Sequence, residues 1–156
     1  MKIAYLADHE DVIPSLAQWR YEEWSYLHPE RTLAEVARLI SEGSNKEHIP
    51  ISLVALDKSK AIGMIELKKS DFKGRPNLTP WLSGMYVDKL HRRKGLGTKL
   101  VHKVEELSAR LGVSKLYLIT DNAEKFYSKL GWSVRERIVW QGHSVKVMEK
   151  EIARLR

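Results

Sequence analysis

The sequence contains no cysteine and no long apolar run. Without cysteine the chain has no disulfide framework, no thiolate nucleophile and no cysteine-based zinc site, which fits a reducing compartment. Its first ten residues lack the apolar core of a signal peptide. No stretch approaches the roughly 20 apolar residues that a membrane-spanning helix needs. We therefore expect a cytoplasmic protein.

Patterns typical of metal sites and of nucleic-acid recognition are missing as well. The six histidines are scattered, without the spacing of a zinc or haem site. The main basic run lacks interleaved aromatic residues, and the sequence shows no helix-turn-helix pattern. We expect no bound metal, and neither nucleic acid nor a membrane as a partner.

Charge of one sign is in excess, because the net charge is +7. With 156 residues, of which 43% are hydrophobic and 30% charged, the chain otherwise has the composition of a globular protein, and one domain at residues 1–156 is expected. An excess of positive charge is typical of binding to nucleic acid, an anionic membrane or an anionic small ligand, but it also occurs as a solvated surface. The positions of the basic residues in the sequence decide between these alternatives.

Hydrophobic periodicity predicts an α/β chain. Helices are predicted at residues 11–27, 32–43 and 96–111, followed by a short helix that ends at Gly131. Strands are predicted at residues 2–7, 51–56, 61–69, 81–87, 115–120, 132–140 and 144–151. The order β-α-α-β-β-β-α-β-α-β-β implies a sheet with helices on its faces. One right-handed crossover should run from strand 81–87 to strand 115–120.

Cap residues set the ends of two predicted helices. Residues 32–35, TLAE, form a capping box that begins the second helix. Asp121 with Glu124 is predicted to cap the short helix. Pro14 is acceptable because it falls in the first turn of the first helix.

The most informative run, HRRKGLGTK at residues 91–99, lies where the third helix begins. Three cations there oppose the helix dipole by roughly 0.3–1 kcal/mol each, so selection for stability alone would favour Asp, Glu, Ser or Thr. The two glycines let the backbone approach a ligand and leave N–H groups unpaired. This combination is typical of a pyrophosphate site, with a solvated basic loop as the alternative.

Two other glycine-rich loops fit this run less well. A Walker A loop ends in Gly-Lys-Ser/Thr, whereas the order here is GTK. A dinucleotide fingerprint needs a third glycine where Leu100 stands, and Gly95 lies eight residues beyond Val87 instead of following the strand tightly. Asp121, at the end of the next strand, is the feature that favours a dinucleotide.

Three segments together resemble one known family. Residues 92–97, RRKGLG, match the signature Q/R-x-x-G-x-G/A of the GNAT superfamily of N-acetyltransferases, and residues 85–88, MYVD, are similar to the strand that precedes it. Residues 123–132, AEKFYSKLGW, are similar to the family segment A-x-x-F-Y-x-x-x-G-F. The order of elements also matches over nearly the whole chain. The chain is thus identified as a bacterial-type, single-domain member.

The resemblance implies a fold and an activity. The fold is the GNAT fold, a mixed, mostly antiparallel sheet with helices on both faces. The activity is acetyl-CoA-dependent N-acetyl transfer to a primary amine of a small molecule or a peptide, by direct transfer without a covalent enzyme intermediate. The alternative is a module that binds acyl-CoA without turnover, or a basic module that binds nucleic acid.

The resemblance also implies roles for individual residues. Met85 and Val87 would offer backbone groups to the pantetheine arm, which fills a gap between the fourth and fifth strands. Tyr127 would protonate the leaving thiolate, although its spacing with Phe126 and Leu130 equally fits a core aromatic residue. The implied cofactor-binding residues are Met85, Tyr86, Val87, Arg92, Arg93, Lys94, Gly95, Leu96, Gly97, Thr98 and Asn122.

The sequence departs from the family pattern at two places. Thr120 stands where many members have an asparagine that contacts the cofactor, so Asn122 is expected to serve instead. Residues 79–87 contain no carboxylate, whereas many members carry a glutamate base on this strand. Glu66, Glu22 and Glu23 are the remaining candidates for a base that acts through water, with an exposed carboxylate as the alternative for each.

Aromatic and acidic residues predict the acceptor pocket. Residues 19–26, WRYEEWSY, lie in the region that shapes this pocket in the family, and aromatic faces with carboxylates suit a cationic amine. Glu23, Trp24 and Trp81 are the candidate substrate-binding residues, with packing of the helix against the sheet as the alternative for Trp24. Residues 71–80 either fold over the acceptor or only connect two strands. The sequence leaves open the acceptor itself and the choice between monomer and homodimer.

Overall fold

The structure, a computed structural model, describes residues 1–153, so the last three residues of the predicted domain lie outside it. Within that range seven strands form one sheet in the order β1-β2-β3-β4-β5-β7-β6. The strands are β1 Lys2–Tyr5, β2 Ile51–Asp57, β3 Lys60–Lys68, β4 Trp81–Val87, β5 Lys115–Thr120, β6 Ser133–Trp140 and β7 His143–Glu151. The α-helices are α1 Ile13–Trp24, α2 Leu33–Ser41, α3 Leu96–Arg110 and α4 Glu124–Lys129.

The predicted order of elements and the mixed, mostly antiparallel sheet are confirmed. Adjacent strands pair antiparallel except β4 and β5, which are parallel and are connected through α3. Helix α1 is shorter than predicted, because short 3-10 turns occupy residues 6–8 and 10–12 before it. None of the helices within residues 1–153 combines the length and apolar character that crossing a membrane requires.

Two predicted helix caps have different outcomes. The capping box of α2 is confirmed, since the Thr32 side chain accepts a hydrogen bond from Glu35 N at 3.1 Å. The prediction that Asp121 caps α4 is wrong. Ala123 occupies the N-cap position of α4, and its N–H donates to Thr120 Oγ1 at 3.0 Å. The Asp121 side chain makes a different contact, described below.

The core lies on both faces of the sheet, because side chains alternate along the central strands. Ile65 and Leu67 of β3 pack in the cluster that contains the buried face of α3, including Leu100 and Val104. Met64, on the opposite face of the same strand, packs in the cluster formed with α1 and α2. The helices thus cover opposite faces, as predicted.

The sheet opens at one place, between β4 and β5. These strands share a single pair in register, Trp81 with Tyr117, whereas β5 and β7 share six pairs. The pairing of β3 with β4 shifts by one residue between Met64 and Glu66, opposite Gly84, which has a φ of +61°. A bulge of this kind bends its strand, and β4 diverges from β5 towards its C-terminal end.

Candidate active site

A cleft of about 750 Å³ opens where β4 and β5 separate. Its walls are the C-terminal halves of these two strands, the N-terminus of α3, the start of α4, and α1 with the segment that follows it. Pockets of roughly 300–1,000 Å³ are typical of small-ligand sites. The cleft therefore joins the elements that carry the sequence motifs in one place.

The N-terminus of α3 presents unpaired amides to one end of the cleft. Gly95 begins the helix with a φ of +80°, and no side chain caps it. The first hydrogen bond of the helix runs from Lys99 N to Gly95 O at 3.1 Å. The preceding N–H groups, those of Leu96, Gly97 and Thr98, have no partner in the helix, and these residues line the cleft. Such a helix end favours an anion.

The cations of the motif do not all face the cleft. Arg92 folds back on β4, where its Nε donates to Val87 O at 2.8 Å and its guanidinium lies 5.3 Å from the centre of the Tyr86 ring. Arg92 and Arg93 line the cleft, whereas Lys94 is exposed and is not part of the lining. Two of the three consecutive cations are thus placed to neutralise an anion at the helix end.

The free edge of β4 faces the gap. Asp88 N donates to Ile62 O of β3 at 2.9 Å. Because backbone groups alternate between the two edges of a strand, the N–H and C=O groups of Val87 point away from β3. The N–H and C=O groups of Val87 therefore point towards the opening between β4 and β5, and Met85 also lines this opening.

The glycine loop and the second motif meet in space. A Cβ atom added at Gly97 would lie 3.3 Å from Phe126 Cζ and 3.6 Å from Met85 Cε. The start of α3 therefore lies close to α4 and β4, and a side chain at this position would require the Phe126 ring to shift by a few tenths of an ångström. Three segments that are separate in the sequence form one wall of the cleft.

Tyr127 lies on this wall and is 6% exposed. Its ring packs edge-on against Phe126 and Trp132, with ring centres 5.0 and 6.0 Å away. Burial, together with the negative charge of Asp71, raises the pKa of the Tyr127 phenol above its ordinary value. The hydroxyl therefore keeps its proton at neutral pH and is a weaker acid than a solvent-exposed phenol.

Aromatic and acidic residues at the end of α1, among them Glu23 and Trp24, line the cleft together with the segment that follows, and we call this part the far end of the cleft. Tyr26 donates to Asp121 Oδ2 at 2.9 Å, which joins this segment to the end of β5. Burial and this contact raise the pKa of Tyr26 to about 12. Burial and the Arg31 charge lower the pKa of His28 to about 4, so its imidazole is neutral at pH 7.

A match to a sequence model identifies the family of the chain. The sequence model of the acetyltransferase (GNAT) family matches residues 13–132, which span the cleft walls from α1 to Trp132. The chain belongs to this family. It is an acetyl-CoA-dependent N-acetyltransferase. No curated protein is significantly similar to it in sequence.

Solved structures of GNAT acetyltransferases share its fold. An aminoglycoside 6'-acetyltransferase type Ii is 23% identical, with a TM-score of 0.76 and all of both chains covered. An aminoglycoside 6'-N-acetyltransferase in complex with coenzyme A is 20% identical, with a TM-score of 0.76 and 100% of this chain and 99% of the other covered. The aminoglycoside 6'-N-acetyltransferase from Enterococcus faecium is 20% identical, with a TM-score of 0.74 and 100% of this chain and 99% of the other covered.

Most residues predicted for the GNAT site lie in the cleft. Met85, Tyr86, Val87, Asn122 and Tyr127 line it, as do Glu23 and Trp24. Trp81 does not. Its side chain is fully buried with Leu78 and Val147, and its Nε1 donates to Leu78 O. The interpretation of Trp81 as a substrate-binding residue is corrected to core packing, because this end of β4 is still paired with β5.

The three candidate bases are in different surroundings. Glu23 is exposed and lines the cleft. Glu22 lies outside the lining and accepts from Gln18 Nε2 at 2.7 Å. Glu66 is buried and paired with Arg20. No group of three or more His, Asp or Glu side chains suited to a metal ion occurs within residues 1–153.

Sequence reasoning missed two polar residues of the site. Asp71 lines the cleft, in a segment where the sequence left lid and connector equally open. Arg20 lies in the lining and reaches Glu66, 46 residues away in the chain. Neither contact follows from local periodicity, because both depend on how α1 and the loop before β4 pack over the sheet.

Proposed function

We propose that the enzyme transfers the acetyl group of acetyl-CoA directly to a primary amine of a small molecule held in the far end of the cleft. One observation carries the proposal. A single cleft connects the free amides of α3 with the aromatic and acidic residues at the end of α1 and in the segment after it. A donor and an acceptor bound at the two ends would meet between β4 and β5.

The donor half of the proposal follows from charge and edge geometry. The pyrophosphate would lie on the amides of residues 93–98, with Arg92 and Arg93 beside it, and Asn122 lies near enough to line the same cleft. The pantetheine arm would pair with the edge of β4 at Met85 and Val87, as an added strand pairs with a sheet. Tyr86 contributes its ring as a platform beneath Arg92.

The chemistry needs a neutral amine and a protonated leaving group. The amine attacks the thioester carbonyl carbon, the C–N bond forms, and the C–S bond of the tetrahedral intermediate then breaks. The Val87 N–H is the proposed donor to the oxyanion. Tyr127, whose phenol is protonated at neutral pH, gives its proton to the departing thiolate as the C–S bond breaks. Water between the amine and Glu23 carries the amine proton away.

The acceptor half is supported by the residues around the far end. Glu23 and Asp71 supply negative charge, and Trp24 and Trp140 supply aromatic faces. These groups suit an alkylammonium ion before it loses its proton. The aminoglycoside acetyltransferases that share the fold make polyamine sugars one class to test.

Consumption of acetyl-CoA with a panel of amines tests this function. The panel contains aminoglycosides, polyamines, amino acids, amino-acid amides and peptides, and products are identified by mass spectrometry. We expect turnover with at least one small amine and a mass increase of one acetyl group on it. Acetyl-CoA binding by calorimetry without turnover on any amine would instead support the binding module, and salt-sensitive binding of duplex DNA would support the nucleic-acid module.

A further inference from the structure

A buried ion pair lies beside the cleft. Arg20 of α1 is 8% exposed and Glu66 of β3 is 2% exposed, and Arg20 Nη1 donates to Glu66 Oε1 at 2.5 Å. Burying two charges costs several kcal/mol each, and apolar residues often stabilise a fold at least as well as a pair does. The stability of the fold therefore does not by itself explain why Arg20 and Glu66 are buried beside the cleft.

The pair lies on a row of polar residues across an otherwise apolar face. Glu66 pairs in register with Ser52 of β2 and with Ser83 of β4, and all three are buried. Gly84 follows Ser83, and a Cβ atom there would lie 3.5 Å from Arg20 Nη1. The guanidinium therefore lies against the bulge of β4, where the sheet begins to open.

Arg20 has donors that the protein leaves unused. A guanidinium carries five N–H groups. Among residues 1–153, Glu66 Oε1 is the one atom that accepts from Arg20. Within the same residues, Ser52 Oγ is the one fully buried side-chain polar atom without a partner. The remaining nitrogens of Arg20 must therefore reach the cleft, whose lining includes Arg20.

Glu66 is poorly placed to be the base of the reaction. Its carboxylate is buried and does not line the cleft, whereas Arg20 does. The carboxylate instead fixes the guanidinium by a charge-assisted hydrogen bond. Glu66 is thus a positioning residue, and Arg20 is the group that meets a ligand.

The cofactor does not supply an anion at this place. Its pyrophosphate belongs at the N-terminus of α3, and the pantetheine arm is uncharged. Gly84 and Val87 are three residues apart on an extended strand, roughly 10 Å, and the amides of α3 begin beyond the loop after Val87. An anion beside Arg20 must therefore come from the acceptor.

The surroundings of Arg20 indicate an acceptor with charges of both signs. Arg31 also lines the cleft, and the charges of Arg31 and Arg20 both lower the pKa of His28. Carboxylates stand elsewhere on the walls, at Glu23 and Asp71. A simple amine would use these carboxylates and leave the remaining N–H groups of Arg20 without an acceptor from the substrate.

We propose that Arg20, held by Glu66, binds a carboxylate of the acceptor, so that the substrate is an amine that also carries a carboxylate, as an amino acid does. The inference rests on the proposed function and narrows its substrate class. The guanidinium offers the paired donors that match the two oxygens of a carboxylate.

Matched acceptors test the inference. Each amino acid that is acetylated is compared with its own amide, which keeps the amine and removes the negative charge. Charge-assisted hydrogen bonds of about 1.5–3 kcal/mol predict that kcat/KM is about 10–100-fold higher for the acid than for the amide. Equal or faster acetylation of the amides would overturn the inference and leave the proposed function intact. Absence of turnover with every amine would overturn both.

A double variant tests the residues. Arg20→Met with Glu66→Leu replaces the pair without leaving a buried charge. We expect the preference for acid over amide to fall to about one, through a higher KM for the acid, while acetyl-CoA still raises the melting temperature. The matched control is Arg38→Met with Glu42→Leu, an exposed arginine–glutamate pair of α2 at 2.8 Å, which should keep the full preference. A preference that survives in the first double variant would remove Arg20 from acceptor binding.

Discussion

Tyr127 is the side chain whose proposed role depends most on a single atom, its hydroxyl oxygen. Tyr127→Phe should lower kcat about 10–1,000-fold, since a positioned acid typically contributes 10²–10⁴-fold and water can replace part of it. The affinity for acetyl-CoA should change little, because the ring still packs against Phe126 and Trp132. Steady-state kinetics with the best acceptor, together with thermal melts, measure both effects.

A tyrosine outside the cleft provides the control for this substitution. Tyr5→Phe removes the same atom from β1, a strand that does not line the cleft, and should leave turnover unchanged. Turnover at the wild-type rate in a folded Tyr127→Phe enzyme would show that Tyr127 is only a packing residue and that solvent protonates the thiolate.

His28 predicts a dependence of stability on pH. Burial lowers its pKa from 6.5 to about 4 in the folded protein, so below pH 6.5 the unfolded chain binds the proton first. The stabilising contribution of the neutral ring is complete above pH 6.5 and is lost as the pH falls towards 4. It amounts to about 2–3 kcal/mol. Between pH 6.5 and 4 the free energy of unfolding, measured with urea, should fall less in His28→Gln than in the wild type. The same pH dependence of this free energy in both proteins would contradict the argument that burial keeps His28 neutral.

At the scale of elements, α3 offers a test of the phosphate site with a control on the same helix. Gly95 precedes it with a φ of +80°, Gly112 follows it with a φ of +79°, and a Cβ atom at either would meet nothing within 4 Å. Gly95→Glu and Gly112→Glu therefore carry similar backbone strain. Gly95→Glu should weaken acetyl-CoA binding at least 10-fold in calorimetry, because it adds negative charge beside the pyrophosphate. Equal affinities in the two variants would place the phosphates elsewhere.

The elements were predictable where local chemistry alone determines them. Strands β4 and β5 have the predicted bounds, because each is an apolar run ended by polar residues. The capping box of α2 formed as predicted, since its two partners are neighbours in the chain. Asp121 does not cap α4, and its carboxylate accepts instead from Tyr26, 95 residues away in the chain. A cap competes with long-range contacts that a sequence pattern does not contain.

The whole molecule should respond to the cofactor as a ligand of the native state. Acetyl-CoA at 100 times its dissociation constant should stabilise the fold by about 2.7 kcal/mol. For a chain of this size that is a rise in melting temperature of about 5–10 °C. Acetylated pantetheine, which lacks the pyrophosphate, is the control and should give a smaller rise at the same concentration. A melting temperature that acetyl-CoA leaves unchanged at millimolar concentration would contradict the assignment of the cleft.

The cofactor half of the cleft was more predictable than the acceptor half. The proposed phosphate and pantetheine contacts lie on one short motif and one strand. These two segments are close together in the chain and also in the fold. The acceptor half is assembled from α1, the segment after it and the loop before β4. Its buried pair, Arg20 with Glu66, joins positions 46 residues apart, and Trp81 packs in the core instead of the pocket. Those outcomes depend on the packing of helices over the sheet.

The single pair that joins β4 to β5 has a consequence for how fast backbone amides exchange with solvent. Beyond Trp81 and Tyr117 the two strands share no ladder pair within residues 1–153, so their facing edges lie open in the middle of a sheet instead of at its border. Met85 and Val87 should therefore exchange their amide hydrogens quickly in the free enzyme, and slowly once a pantetheine arm occupies the gap. Open strand edges invite pairing with other chains. Here residues of α1, α3 and α4 line the opening, so these strand edges are enclosed by helices instead of exposed as those of a border strand are.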